Sequence, residues 1–522
     1  MAKRKRDTAE GAGTAKSLKS KKEHVASTPK QAATKEIAFR KSKEGAVNGN
    51  AVASKSKTPV IEAAEDRDAV RDTTTVQVIT GSYERVLHGF AAAIPRSLIT
   101  GQDDASTPET DKSKIEFTDT FLFNAHASSI RCLALSPLSD ETSKVTLATG
   151  STDERINLYS IATTPPVASK LKPTLPSLHG ASITENPKNK ELGSLLHHSS
   201  NITALYFPTR SKLLSAAGDS TIAITRTRDW TALSTIKAPI PKPQGRPSGD
   251  TAGPGEVPSG INDFAVHPSM KLMVSVGKGE KCMRLWNLVT GKKAGVLNFG
   301  RDILTAVGEG RFGSGEGRRV IWDKEGEEFA VGFERGAVVF SIDSKPKAKI
   351  APLPKTKIHQ MHYLPSGSHP ATLLVSTEDG RVLLYDTSST STNDEVATEK
   401  SKDDIPSSRL VAQIGGPAAG MTGRVKDFEI VTLSETSFLI ITGSSDGTVR
   451  FWSLNVAELK GDDAGKAQGF TALQVGKLLG SYTTGTRITC LKAFPMTGKP
   501  DQEEEEEVVE KEAASSSEDE SE

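Results

Sequence analysis

The chain has 522 residues, with 66 Lys and Arg against 65 Asp and Glu, for a formal net charge of +1. That balance hides two poles: residues 1–60 carry 15 Lys/Arg and 5 Asp/Glu, whereas residues 501–522 carry 12 Asp/Glu and one Lys. Three widely separated cysteines (Cys132, Cys282, Cys490) without CxxC spacing argue against a disulfide framework or a thiolate metal cluster, and read as core hydrophobes in a reducing compartment. No apolar run approaches the ~18 residues of a membrane span, and the N-terminus has no apolar signal stretch.

Residues 1–72 are expected to form a disordered basic tail, because they hold too few large apolar side chains to offset the entropy of ordering. Lys3, Arg4, Lys5 and Arg6, with Lys19, Lys21 and Lys22 behind them, read as a nuclear-localisation cluster. Electrostatic contact with RNA is compatible with that reading, and a solvated tail is the bland alternative.

The first hairpin occupies residues 76–95, and a third strand is expected over 117–126. Six four-stranded units follow in order: 130–135, 145–150, 155–161 and 193–197; 202–207, 212–217, 221–227 and 232–236; 261–267, 272–276, 282–288 and 294–299; 319–323, 328–333, 337–342 and 348–351; 358–364, 372–376, 381–386 and 409–414; 425–433, 438–443, 448–454 and 476–482. The clearest copy is ITGSSDGTVRFWSL at 441–454, two apolar runs joined at Asp446-Gly447, where Gly admits positive φ and Asp bonds its own backbone.

An acid six residues before an aromatic locates the other copies. Asp446 goes with Trp452, Asp379 with Tyr385, and Asp153 with Tyr159; Glu280–Trp286, Glu334–Phe340 and Glu84–Phe90 are weaker, and Asp219 has Thr225 in the aromatic place. The spacing is about 60 residues per repeat against the ~40–45 of a compact four-stranded blade, so the excess must sit in loops. Those loops are 163–191, 237–259, 387–407 and 455–472, and solvated loop growth accounts for them at small free-energy cost.

A strand at 487–494 is left without partners, while the N-terminal unit lacks an opening strand. Joining the two completes a seventh blade and removes the open sheet edges. The expected architecture is an all-β, seven-bladed propeller over residues 73–496, closed by its C-terminal strand, with a disordered acidic tail at 497–522.

Catalytic chemistry is sought without success. GEGRFGSGEG at 308–317 lacks the GK[ST] ending of a phosphate loop, and Ser314 has no strand-to-helix elbow. His359 and His362 are three apart on a strand and point to opposite faces, and His197-His198 fails as a metal pair for the same reason. No enzyme activity, cofactor or metal is expected. Binding surfaces remain. Tyr83 and Phe333 stand just before a turn acid, where an exposed aromatic serves as a contact hot spot or folds over a neighbouring loop. Lys278 and Lys281 flank one turn, and Arg424 and Lys426 open the last full blade; together they would suit RNA phosphates.

The hairpins resemble WD repeats, in which a loop His, a strand Ser/Thr, the turn Asp and a strand Trp bond together. Blade two has His126, Asp153 and Tyr159; blade three has His198 and Asp219 without the Trp; blade seven has Asp446 and Trp452 with Met421 at the His position. The segments TGSYERVLHGFA, LLHHSSNITALYF, HPSMKLMVSVGKGEKCMRLWNLVTGK, GRVKDFEI and TGTRITCLKAF are similar to the p21-activated-kinase-interacting protein family and its fungal maintenance-of-killer counterparts. That resemblance implies a nucleolar, non-enzymatic assembly factor of the large (60S) ribosomal subunit, a monomer within a large assembly. Its partners would be assembly factors, ribosomal proteins and pre-ribosomal RNA, with no membrane and no small-molecule substrate. Animal members are described as kinase inhibitors, so a kinase regulator and a chromatin-bound propeller are the alternatives. The charged tails depart from the animal form, so tail functions do not transfer. Ser515, Ser516 and Ser517 each precede Glu518, Asp519 or Glu520 by three residues, which suits an acidophilic kinase. Such a tail would hold basic ribosomal proteins, screen RNA from the ring, or only solubilise the chain.

Overall fold

The computed structural model describes residues 73–100, 114–139, 141–165, 175–176, 182–183, 186, 188–240, 259–310, 313–390, 405–421, 423–460 and 469–496. Their strands form seven sheets, one per blade, each built on four antiparallel strands. The seven innermost strands are Ile130–Leu135, Ile202–Thr209, Ile261–Val266, Arg319–Trp322, Ile358–Tyr363, Val425–Thr432 and Ile488–Pro495. Each contacts the next, and the last returns to the first, so they form a closed ring around a channel.

Closure occurs as the strand count requires. Ile488–Pro495 pairs antiparallel with Thr73–Ser82, Leu491 opposite Thr80, and gives blade one its inner strand. The repeat in sequence is therefore offset from the blade in space by one strand.

Burial on both faces explains the continuous apolar runs. In Phe438–Ile441, Phe438 and Ile440 pack toward blade six, while Leu439 and Ile441 pack toward blade one. The buried apolar side chains fall into seven clusters, one wedged between each pair of neighbouring blades. Each fully buried large apolar side chain contributes about 1.5–3 kcal/mol, so cohesion is spread around the ring rather than held in one centre. The aromatics of the six-residue spacing sit in these wedges: Phe90, Tyr159, Trp286, Phe340, Tyr385 and Trp452 are all buried.

The turns behave as their chemistry demands. Gly447 has φ 84°, and a Cβ there would stand 2.7 Å from the Thr486 carbonyl oxygen, so only glycine fits between this turn and the closing strand. Arg85, Glu154 and Ser220 adopt the same left-handed region in their own hairpins.

Three of the four long insertions do more than extend into solvent. Ile183, in the first, pairs parallel with Asp119 on the outer strand of blade one. Ser407, in the third, bridges to Lys349 on the outer strand of blade five, and in the fourth the Phe470 and Ala472 carbonyls accept from Gln413 Nε2 (3.0 Å each) on that of blade six. Each insertion thus reaches back across the outer edge of the preceding blade and covers groups that would otherwise template strand addition. The expectation of plain loop growth missed this because a single bridge carries no periodic signal. Two short helices, Arg96–Thr100 and Arg301–Ala306, were also absent from the sequence reading.

Candidate functional site

The hairpin turns and the starts of the inner strands lie together at one mouth of the channel, so residues far apart in sequence meet there. Tyr83 donates its backbone N–H to the Arg487 carbonyl (2.9 Å), Lys278 to Gly260 (2.8 Å), and Ser445 to Arg424 (2.9 Å).

The histidines and turn acids beneath this mouth divide the WD-type network between blades. His126 places Nδ1 3.1 Å from Asp153 and Nε2 2.7 Å from the Thr149 hydroxyl. His198 does the same with Asp219 at 3.2 Å and Ser215 at 2.8 Å. Blades four and seven lack the histidine and instead use the tryptophan, Trp286 donating to Ser275 (2.8 Å) and Trp452 to Thr442 (3.4 Å). Burial lowers the pKa of His126 and His198 despite the opposing pull of Asp153 and Asp219, so both rings are neutral and structural.

Inside the channel, side chains clasp neighbouring blades. Asp427 accepts the Leu491 amide at 2.8 Å, Asp263 accepts the Val320 amide at 3.1 Å, and the Thr489 hydroxyl donates to the Ile130 carbonyl at 2.6 Å. Lys492 pairs with Glu429 at 2.5 Å. Burial disfavours that ammonium, but Glu429 and Asp427 more than offset it and raise its pKa above the usual lysine value. Among the described residues no group of His, Cys, Asp and Glu is arranged to hold a metal ion.

Two aromatic positions singled out from the sequence part company. Tyr83 is 58% exposed, and the Arg487 guanidinium lies 5.6 Å from its ring centre. Phe333 is 0% exposed and packs edge-on against Phe299 at 5.0 Å, so it is not a rim aromatic. The cause is hairpin length. In blade five Gly332 pairs with Ala337, whereas in blade seven Gly443 pairs with Val449, so blade five has one turn residue fewer. Phe333 therefore occupies the inward-facing place held elsewhere by buried Ser82, Ser151, Thr377 and Ser444.

The basic residues also separate. Lys278 and Lys281 flank the blade-four turn, half-buried and exposed respectively. Arg424 and Lys426 join a larger group. Lys426 Nζ lies 3.2 Å from His359 Nε2, Arg319 Nε donates to the His359 carbonyl at 3.1 Å, and Arg424 pairs with Glu378 at 3.2 Å. Burial, then repulsion from Lys426, Arg319, Arg424 and Lys357, lowers the His359 pKa to about 3. Burial also lowers that of Lys426, with Arg424, Arg487 and Lys357 adding to the effect and Glu378 opposing it. Arg319, Lys357 and Arg487 escaped the sequence reading. The available signal was a cation immediately before a β-branched residue in three consecutive inner strands: Lys357-Ile358, Arg424-Val425 and Arg487-Ile488. Lys3, Arg4, Lys5, Arg6, Ser515, Ser516 and Ser517 lie outside the described residues.

Seven four-stranded blades, acid-stabilised turns between the second and third strands and the His–Ser/Thr–Asp groups define a WD40-repeat β-propeller. Three segments match that family (WD domain, G-beta repeat): 117–160, 189–225 and 423–453. The first two begin on the outer strand of one blade and run into the next, following the one-strand offset. Over most of its length the chain is similar to named proteins. It is 29% identical to Protein MAK11 of Saccharomyces cerevisiae over 414 residues, covering 75% of this chain and 80% of that protein. It is 25% identical to the p21-activated protein kinase-interacting protein 1-like of Danio rerio over 416 residues, 80% of each. The Xenopus laevis protein of the same name is 24% identical over 429 residues, 82% of this chain and 85% of that one.

Proposed function

We propose that this propeller is a non-enzymatic scaffold in assembly of the large ribosomal subunit, acting in the nucleolus and contacting pre-ribosomal RNA and assembly-factor proteins. The observation that carries the reading is likeness to MAK11 along three quarters of the chain, far more than one blade holds. The basic mouth supports an RNA-facing role, because phosphate contacts need cations fixed on a rigid frame. On this reading residues 1–72 and 497–522 are tails flanking the ring, with Lys3–Arg6 directing nuclear import and Ser515–Ser517 receiving phosphate.

Gradient sedimentation tests the proposal. The tagged protein is expected to co-sediment with large-subunit precursors, and its depletion to delay pre-ribosomal RNA processing. A protein that stays at the top of the gradient, with processing intact, overturns the reading. The name of the vertebrate relatives motivates a second reading, direct binding of a p21-activated-type kinase. Capture of the purified kinase by the purified propeller, with no ribosomal co-sedimentation, would favour it.

A further inference from the structure

Four consecutive blades deliver cations to the same mouth of the channel: Arg318 and Arg319 from blade five, Lys357 from blade six, Arg424 and Lys426 from blade seven, and Arg487 from blade one. Carboxylates answer only some of them. Glu334 pairs with Lys357 (2.9 Å) and Arg318 (3.4 Å), Glu378 with Arg424, and Asp263 stands 3.9 Å from Arg319. Glu84 is spent on the Arg487 backbone amide at 2.9 Å. Among the described residues, no carboxylate comes within the 4.0 Å ion-pairing distance of the Lys426 ammonium or the Arg487 guanidinium. Lys426 is instead held against a neutral imidazole, which gives it a hydrogen bond and no countercharge.

A cluster of six cations answered by three carboxylates has a ready use, binding an external anion. The exposed pairs with Glu334 and Glu378 hold little free energy and exchange readily for phosphate. Beside the unmatched cations stands Tyr83, exposed and laid against Arg487. An aromatic face next to a cationic track is the arrangement by which proteins hold unpaired bases while neutralising their backbone. An acidic peptide would use the cations but has no need of the ring.

We propose that the channel mouth is a single-stranded RNA site, in which Lys357, Arg424, Lys426 and Arg487 take successive phosphates and the Tyr83 ring stacks on a base. This rests on the RNA-facing part of the scaffold reading above and names the surface responsible.

The test is fluorescence anisotropy of the full-length protein with an end-labelled single-stranded oligouridine of ~20 nucleotides. The double variant Lys426→Ala/Arg487→Ala should weaken binding at least about tenfold and flatten the slope of log affinity against log salt by about 1.4, or ~0.7 per lost phosphate contact. Tyr83→Leu should weaken binding about fivefold or more with the slope unchanged, and Tyr83→Phe should restore it. Lys292→Ala/Lys293→Ala, on the exposed outer strand of blade four, should bind as the parent does. Circular dichroism melts confirm that each variant folds. Equal losses in the blade-four control overturn the site. So does tighter binding of a triply phosphorylated 501–522 peptide than of RNA, indifferent to Tyr83, which gives the mouth to acidic peptides. A parent protein that binds no RNA yet co-sediments with precursors defeats this inference and spares the scaffold reading; RNA binding without co-sedimentation does the reverse.

Discussion

Replacing His126 by alanine tests whether the divided histidine and tryptophan networks hold the blades. The ring is fully buried and makes two side-chain hydrogen bonds, one to the Asp153 carboxylate and one to Thr149. Asp153 keeps the Ala127 and Arg155 amides (2.9 and 3.1 Å), and the Thr149 hydroxyl has the Asn157 carbonyl within 3.4 Å, so neither partner is orphaned. The loss is then about 1 kcal/mol for the neutral bond, about 1.5–2 for the charged one, and a little packing, or ~3 kcal/mol in all. With an unfolding entropy of about 2.1 cal/mol/K per residue over the roughly 350 described residues, this lowers Tm by about 4 °C. The sign with pH follows from the neutral ring. Its folded pKa lies below the unfolded value of 6.5, so its contribution is complete above pH 6.5 and is lost as pH falls toward the folded pKa. Scanning calorimetry at pH 7.5 and 5.5 should show the gap between parent and variant narrowing in acid. A gap under 1 °C at pH 7.5, or one that widens in acid, refutes the reasoning.

Phe333→Ala should lower stability by about 3–5 kcal/mol, as expected for emptying a buried phenylalanine site, with partner recovery falling only in proportion to folded protein. Tyr83→Ala should do the opposite: an unchanged melt with weakened recovery of RNA-containing complexes. His359 and His362, both with pKa values lowered to about 3 by burial first and by neighbouring cations second, should make the ring acid-sensitive. Each removes at most about 1.4 kcal/mol per pH unit between pH 6.5 and about 3, measurable as a falling denaturant midpoint that His362→Phe partly flattens. Truncation before Ile488 should leave blade one without its inner strand, and limited proteolysis should then attack Thr73–Ser82, which is protected in the full chain.

The ring was legible because each blade advertises itself locally. A turn acid and a buried aromatic six residues on, as in Asp446 and Trp452, are set by one hairpin and need no distant partner. The missing strand of blade one could be inferred by counting, since a ring leaves no strand over. Long-range juxtaposition could not be read in this way. Arg319, Lys357, Lys426 and Arg487 come from four blades, and nothing in any one repeat announces the others. Phe333 was misplaced for a subtler reason: removing one turn residue moves the position before the acid from the rim into the strand, where side chains point inward. Sequence spacing from the acid to the aromatic is the same in both cases and carries no trace of the shift.

Ring closure by Ile488–Pro495 also sets a timetable. Blade one has three of its strands as soon as Asn124 is made, but its inner partner follows about 360 residues later. At roughly 5–20 residues per second, the edge of Thr73–Ser82 waits on the order of 20–70 s for that partner. Throughout that interval the nascent chain displays a strand paired on one edge only and bearing Val76, Val78 and Ile79, which end fully buried. Blades two to seven can form in order beside it, yet the wedge between blades seven and one stays open until Ile488–Pro495 is made. The inner edge of the first blade is therefore the last surface of the ring to be covered, and the mature mouth is complete only when that strand has docked.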